Sequence, residues 1–249
     1  MRHMVTQPRL GSQGPQLGQR LPMCGPGGVR TRSGMPRSLL LAVLAAAIAG
    51  ASATSALAHG TRLPDAEIFA TNNTAVITDP ADPRLSDPLR AFGRKVERIV
   101  ERGGGVPRGS QLLDGVFFSS DLQTTTFERS RDFDVDHVTR RELHDIAERV
   151  RQRFEQESVL TFDYPERPSD PVDGVEVEVP GLDAQRLRSG LLADAEARER
   201  LFGGSVTLDG RLVLIAGVED LDLVERFVTE IGGDFGAATI RRGQREFVG

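Results

Sequence analysis

The chain has 249 residues, of which 39% are hydrophobic and 27% charged, and this composition excludes a wholly disordered protein. Six of its 31 basic residues lie in residues 1–58, which contain no Asp or Glu, so residues 59–249 carry 25 basic and 36 acidic residues. A chain with this acidic excess repels phosphate backbones, which argues against nucleic-acid binding by bulk electrostatics.

A secretory signal peptide is predicted at residues 35–58. An apolar run over residues 39–49 is followed by small residues that end in an A-x-A cleavage site at Ala58. The run is shorter than the about 20 residues that cross a bilayer, so no stable membrane anchor is expected. We interpret residues 1–34 as an over-long start or an extended n-region, expected to be disordered. The sequence therefore predicts export to the extracellular space or cell envelope.

The one cysteine, Cys24, precedes the signal peptide. The mature chain therefore has no disulfide, no thiol nucleophile and no thiolate metal site. It must rely on its hydrophobic core for stability, and a chain of this length can bury one.

The first half of the mature chain is predicted to have the order β-α-β-β-α-β. Hydrophobic periodicity, turn residues and a Thr139/Glu142 capping box support this order. In chain order, the elements are a strand within 67–78, a helix capped by Ser86 and ended at Gly103, strands 112–119 and 124–133, a helix after Thr139, and strand 158–164.

The second half repeats this order. Its hairpin signal is Asp209-Gly210, for which a type I′ turn is expected. In chain order, the elements are strand 174–179, helix 183–202, strands 205–208 and 211–216, a helix capped by Asp220, and strand 237–241.

The repeated order predicts an α+β protein of two tandem ferredoxin-like domains behind a signal peptide. The domains would comprise residues 59–164 and 174–249, joined by a linker at 165–173 that contains three prolines. In each domain, two helices would cover one face of an antiparallel sheet and leave the other face open. We expect function at those open faces.

Two short segments resemble a family of small secreted bacterial proteins of unknown function. They are Arg153–Leu160, which reads RFEQESVL, and Leu112–Gly115, which reads LLDG. The resemblance covers about residues 66–164 and implies export and an α+β domain. Because that family has no assigned activity, the resemblance implies no chemistry.

Histidines and aspartates are the candidate metal ligands. Cleavage after Ala58 would place His59 at the N-terminus, where its amine and imidazole could bind copper together with His137 or His144. A weak divalent site of Asp134, His144 and Glu148 is a second possibility.

The segment Asp132-Phe133-Asp134-Val135-Asp136 places three carboxylates at a spacing of two residues. Such spacing invites a hard cation, but the segment lacks the glycine of an EF-hand loop. We favour the interpretation that Phe133 and Val135 pack inward while the aspartates face water.

No catalytic residue and no cofactor are predicted, because the sequence contains no G-x-S-x-G, S-x-x-K, H-E-x-x-H or P-loop motif. The leading hypothesis is a secreted, non-enzymatic protein that binds an extracellular protein or a small molecule through its open sheet faces. The alternative is an enzyme or a haem or ligand binder whose two sheets face each other around a pocket. The expected open-face residues are Thr124, Thr126, Glu128, Arg129, Glu176, Glu178, Thr207, Val213, Ile215, Thr239 and Arg241.

Overall fold

The computed structural model describes residues 64–165, 167 and 169–249. The predicted signal peptide, the preceding segment and His59 lie outside the described residues. None of the helices within the described part of the chain has the length and hydropathy needed to span a bilayer.

The described chain contains eight strands and five α-helices. The strands are β1 (Ala66–Thr71), β2 (Val106–Ser119), β3 (Thr124–Asp136), β4 (Val159–Asp163), β5 (Gly174–Pro180), β6 (Gly203–Thr207), β7 (Arg211–Gly217) and β8 (Thr239–Val248). The helices are α1 (Arg90–Arg102), α2 (Arg140–Phe154), α3 (Ala184–Ala193), α4 (Ala195–Arg200) and α5 (Leu221–Glu230). Short 3-10 helices lie at Pro83–Ser86, Val218–Asp220 and Phe235–Ala237.

The helix ends follow the capping residues only in part. The capping box of α2 is confirmed, since Thr139 accepts from the Glu142 amide and Glu142 accepts from the Thr139 amide. Ser86 instead lies in a 3-10 helix, and α1 begins after Leu89. The expected single helix 183–202 is wrong, because the Asp194 side chain accepts from the Ala197 amide at 3.0 Å and starts α4 there.

The β6–β7 hairpin also differs from the type I′ turn. Three residues, 208–210, connect the strands, and only Gly210 has a positive φ, of 79°. A three-residue loop of this kind needs one left-handed residue rather than two, and glycine adopts that conformation without steric cost.

All eight strands pair antiparallel in one closed barrel, in the order β1-β3-β2-β6-β7-β5-β8-β4. Two pairings connect the first four strands with the last four. Strand β2 pairs with β6 from Leu113↔Thr207 to Phe117↔Gly203, and β4 pairs with β8 from Val159↔Val248 to Asp163↔Gln244. We call these two pairings the seams of the barrel.

The prediction of two tandem ferredoxin-like domains is therefore wrong. Each separate sheet would have left two edge strands with unpaired backbone groups, and the seams pair those edges with each other. Closure also depends on the length of β8, which was expected to end at Arg241 but continues to Val248. The faces expected to be open line the barrel lumen instead.

The hydrophobic core crosses the seams as well. Val116 and Phe127, from β2 and β3, belong to the cluster that packs against α3 and α5. Val248, from β8, belongs to the cluster that packs against α1 and α2. Neither half of the barrel therefore has a complete core of its own.

Glycines allow close approach at both seams. A methyl group on Gly203 would overlap the Val116 carbonyl oxygen, and one on Gly243 would overlap the Phe162 ring and lie 2.5 Å from the Asp163 carbonyl oxygen. We expect Gly203→Ala and Gly243→Ala each to lower the free energy of unfolding by about 1–3 kcal/mol or more, as overpacking does. Urea denaturation followed by circular dichroism measures this loss.

The matched control is Gly109→Ala in β2, where the nearest atom to an added methyl group, Asp134 Oδ2, is 3.6 Å away. This contact is of ordinary van der Waals length, so the control should keep its stability. Equal stability of all three variants would contradict the seams as described.

Candidate functional site

Strand alternation determines which side chains enter the lumen. In β5, Val175, Val177 and Val179 belong to the cluster that packs against α3 and α5, so Glu176 and Glu178 face the opposite side. In β1, Ala66, Ile68 and Ala70 pack against α1 and α2, so Glu67, Phe69 and Thr71 face the lumen. The lumen therefore combines apolar and charged side chains from both halves.

One part of the lumen is a largely apolar cavity of about 530 Å³. Seven strands and the segments beside them contribute to its lining. The apolar lining residues are Phe69, Ala70, Phe117, Leu160, Leu201, Phe202, Val213, Ile215 and Phe247, and the polar ones are Thr71, Glu128, Ser130, Gln156, Ser158, Ser205 and Arg245.

Two of the lining phenylalanines are strongly exposed to solvent. Phe202 and Phe247 are each 64% exposed, although large apolar side chains are usually buried. They give the cavity an apolar opening towards solvent, where an apolar molecule would remove their surface from water.

Gln156 presents an unused hydrogen-bond donor at the cavity. Its Oε1 accepts from the Thr71 amide at 3.0 Å, which identifies the other amide atom as Nε2. This Nε2 is buried and has no hydrogen-bond partner within the described part of the chain. An unsatisfied buried donor costs about 1–3 kcal/mol, and because this atom has less than 1 Å² of accessible surface, a ligand reaches it only after the side chain turns towards the cavity.

Glu128 lies on β3 at the cavity wall and is half-buried. Burial raises the pKa of its carboxyl group to about 7. Because no described residue forms an ion pair with Glu128, the neutral and ionised forms are both accessible near neutral pH. The neutral form is a hydrogen-bond donor.

Arg245, on β8, supplies a cation at the cavity. Its backbone amide donates to Asp173 at 2.8 Å, but its guanidinium group forms no ion pair with any described residue. A guanidinium group can bind a carboxylate with two parallel hydrogen bonds. The cavity therefore offers donors from Arg245, Gln156 and protonated Glu128.

A cluster of buried charges adjoins the cavity along the same strands. Arg241 forms ion pairs with Glu67 at 2.9 Å, Glu176 at 2.5 Å and Glu178 at 2.8 Å. The Tyr164 hydroxyl donates to Glu176. These contacts hold three of the lumen carboxylates on one guanidinium group.

Asp132 is also part of this region, and its pKa and that of Glu67 lie well above the ordinary values. Burial is the largest cause for both groups. Asp132 and Glu176 further raise the pKa of Glu67, and Glu176 and Asp134 further raise that of Asp132. Glu67 and Asp132 are so close that both are ionised only when a cation compensates them; otherwise one of the two holds a proton.

The structure separates the predicted metal ligands. His137 is exposed, and its backbone amide donates to Asp65 at 2.8 Å. His144 is exposed on α2 and its Nδ1 lies 2.9 Å from Glu246 Oε1, while Glu148 forms an ion pair with Arg151. Asp134 instead lies with Glu67 and Asp132, since carboxylate oxygens of the three are within 4.8 Å of one another.

The expectation that the aspartates of β3 face water is wrong for two of them. Phe133 and Val135 are buried, as predicted, but Asp132 and Asp136 are each 2% exposed. Because the barrel is closed, the polar face of β3 points into the lumen. Other strands cover this face, so it is not exposed to solvent.

Other lumen residues were not predicted as site residues. The expectation that Glu128 and Arg129 share one open face is wrong, because neighbouring residues of a strand face opposite sides. Arg129 donates to the Asp87 carbonyl oxygen outside the lumen. Strict alternation was the available signal for Glu128. For Gln156 and Arg245, no local pattern distinguishes them from surface residues.

In comparisons with family models, curated proteins and solved structures, nothing matches this chain. The resemblance to small secreted bacterial proteins therefore stays a prediction.

The raised pKa of Glu128 predicts a pH-dependent stability. Between about pH 4.5 and 7, folded Glu128 holds a proton that the unfolded chain has lost, so stability falls as pH rises through this range. Glu128→Gln removes this contribution. The melting temperature of the variant minus that of the wild type should therefore increase from about pH 5 to about pH 7 and stay constant above that. Differential scanning calorimetry measures the difference.

Glu101→Gln, at an exposed position of α1, is the matched control and should follow the wild type at every pH. A pH-independent difference between Glu128→Gln and the wild type would show that Glu128 titrates as an exposed glutamate does.

Proposed function

We propose that the protein is a binding protein for a small organic acid, which enters the lumen cavity with its apolar part against the phenylalanines. The observation that carries this proposal is the largely apolar cavity of about 530 Å³ with Arg245, whose guanidinium group has no ion pair among the described residues, in its lining. Ligand cavities are commonly of this size, mainly apolar, and equipped with a few polar groups that orient the ligand.

The polar groups select the chemistry of the ligand. Arg245 and Gln156 are donors, and protonated Glu128 is a third. A carboxylate accepts hydrogen bonds at both oxygens. It also supplies the negatively charged partner that Arg245 does not have among the described residues. An apolar carboxylic acid therefore fits the cavity better than an amine, which would place a second cation beside Arg245.

This proposal modifies the hypothesis of binding through open sheet faces. Those faces enclose the lumen, so the surface available to a ligand is concave and of small-molecule size. With the predicted signal peptide, we propose that binding takes place outside the cytoplasm.

An acid-base enzyme is the second candidate function, and Glu128 favours it. A carboxyl group with a pKa of about 7 can both donate and accept a proton at neutral pH, as a general acid or base requires. We do not propose haem binding, because the described residues that line the cavity include no His, Cys, Met or Tyr to ligate iron.

Isothermal titration with octanoate and phenylpropionate, each paired with its uncharged alcohol, tests the proposal. We expect the carboxylates to bind more tightly than the alcohols. Arg245→Gln should weaken carboxylate binding roughly ten- to hundredfold, the effect of one charge-assisted hydrogen bond, and leave alcohol binding nearly unchanged.

Arg242→Gln is the matched control. Arg242 lies in β8 like Arg245, but it is exposed on the outer side of the barrel wall, opposite the lumen. It should bind as the wild type does. Absence of binding by every compound, or equal loss in both variants, would contradict a carboxylate site at Arg245.

A further inference from the structure

The lumen carboxylates outnumber the cations that neutralise them. Arg241 pairs with Glu67, Glu176 and Glu178, whereas Asp132 and Asp134 form no ion pair within the described part of the chain. Asp132 accepts one hydrogen bond, from Gln111 at 3.1 Å. Arg241 acts on both aspartates through space and Arg108 acts on Asp134, but neither arginine forms a direct ion pair with them in the described chain.

Two oxygens of this region are also unpartnered. Glu67 is 1% exposed and its Oε2 has no hydrogen-bond partner in the described chain. Asp132 is 2% exposed and its Oδ1 is equally without one. Buried carboxylate oxygens are normally hydrogen-bonded or bound to a metal ion, because their desolvation is costly.

The spacing of the oxygens suits one cation. Carboxylate oxygens of Glu67, Asp132 and Asp134 lie within 4.8 Å of one another. Two oxygens on opposite sides of a Ca²⁺ ion are about 4.6–5.2 Å apart, and adjacent ligands are closer. One ion can therefore contact all three carboxylates.

We propose that Glu67, Asp132 and Asp134 bind one hard divalent cation in the barrel lumen. The ligand set consists of carboxylate oxygens only, and such a set selects Mg²⁺, Ca²⁺ or Mn²⁺ over the softer transition metals. Asp134 is half-buried, whereas Glu67 and Asp132 are buried, so Asp134 is the most exposed of the three ligands. The ion supplies the charge that Arg241 does not.

The site differs from every metal site expected from the sequence. It shares Asp132 and Asp134 with the β3 segment whose carboxylate spacing invites a hard cation, but its third ligand is Glu67 of β1 rather than Asp136 or a histidine. It is also independent of the organic-acid proposal, because its oxygens adjoin the cavity without lining it.

Electron paramagnetic resonance with Mn²⁺ tests the proposal on protein first treated with EDTA. Free Mn²⁺ gives a six-line signal that is lost on binding, and we expect the wild type to remove one Mn²⁺ per chain. Glu67→Gln and Asp132→Asn keep the side-chain volume and the fold, which circular dichroism verifies. Each should weaken Mn²⁺ binding roughly tenfold or more.

Glu178→Gln is the matched control. It removes one negative charge from the same lumen, but Glu178 pairs with Arg241 and Arg211 and is outside the proposed ligand set. This variant should still bind one Mn²⁺ per chain. Displacement of bound Mn²⁺ by Ca²⁺ or by Mg²⁺ then identifies the preferred ion.

Protons are the alternative to a cation, and the outcomes separate the two. If the carboxyl groups are neutralised by protons, Mn²⁺ leaves the signal and the melting temperature of the wild type unchanged. Equal loss of Mn²⁺ signal in the wild type and in all three variants would instead indicate binding by exposed acidic residues. Either result would overturn the proposal.

Discussion

Pairing between strands that are distant in the chain organises this molecule. Strand β2 meets β6 and β4 meets β8, and these two seams turn what would be two sheets with free edges into one closed barrel. Once the barrel is closed, one side of every strand packs against helices and the other faces an enclosed lumen. The core clusters follow the same arrangement, since each draws side chains from both halves.

Closure has an electrostatic consequence for the lumen. Polar side chains that would face solvent on an open sheet are removed from water, and removing a carboxylate from water is costly unless a partner compensates it. Arg241 provides that compensation for Glu67, Glu176 and Glu178. This compensation is incomplete, because the pKa values of Glu67, Asp132 and Glu128 are all raised, with burial as the largest cause. Perturbed carboxyl groups of this kind often mark functional sites.

Local features of the sequence were sufficient for several elements and insufficient for the way they assemble. The capping box at Thr139 and the alternation of Val and Glu in β5 follow from interactions between neighbours in the chain, and both could be recognised. Pairing of Leu113 with Thr207 brings together residues far apart in sequence, and no local pattern indicates it. The local patterns therefore predict sheet faces that are open to solvent, and they do not predict that these faces enclose a lumen.

The candidate site was predictable to a similar extent. Glu176 and Arg241 were expected on a common open face, and the structure joins them by an ion pair at 2.5 Å. Gln156 follows α2, and its role depends on the contact with Thr71 of β1, for which the sequence provides no signal. Side chains such as these become recognisable only when the barrel brings their strands together.

Nuclear Overhauser effects between backbone protons at the two seams test the closed barrel most directly. In a deuterated sample, a closed barrel gives cross-strand contacts between Asp114 and Val206 and between Leu160 and Phe247, which are paired in the structure. Both sets of contacts must occur in the monomer. Their absence, together with independent tumbling of the two halves, would contradict a single closed barrel and its lumen site.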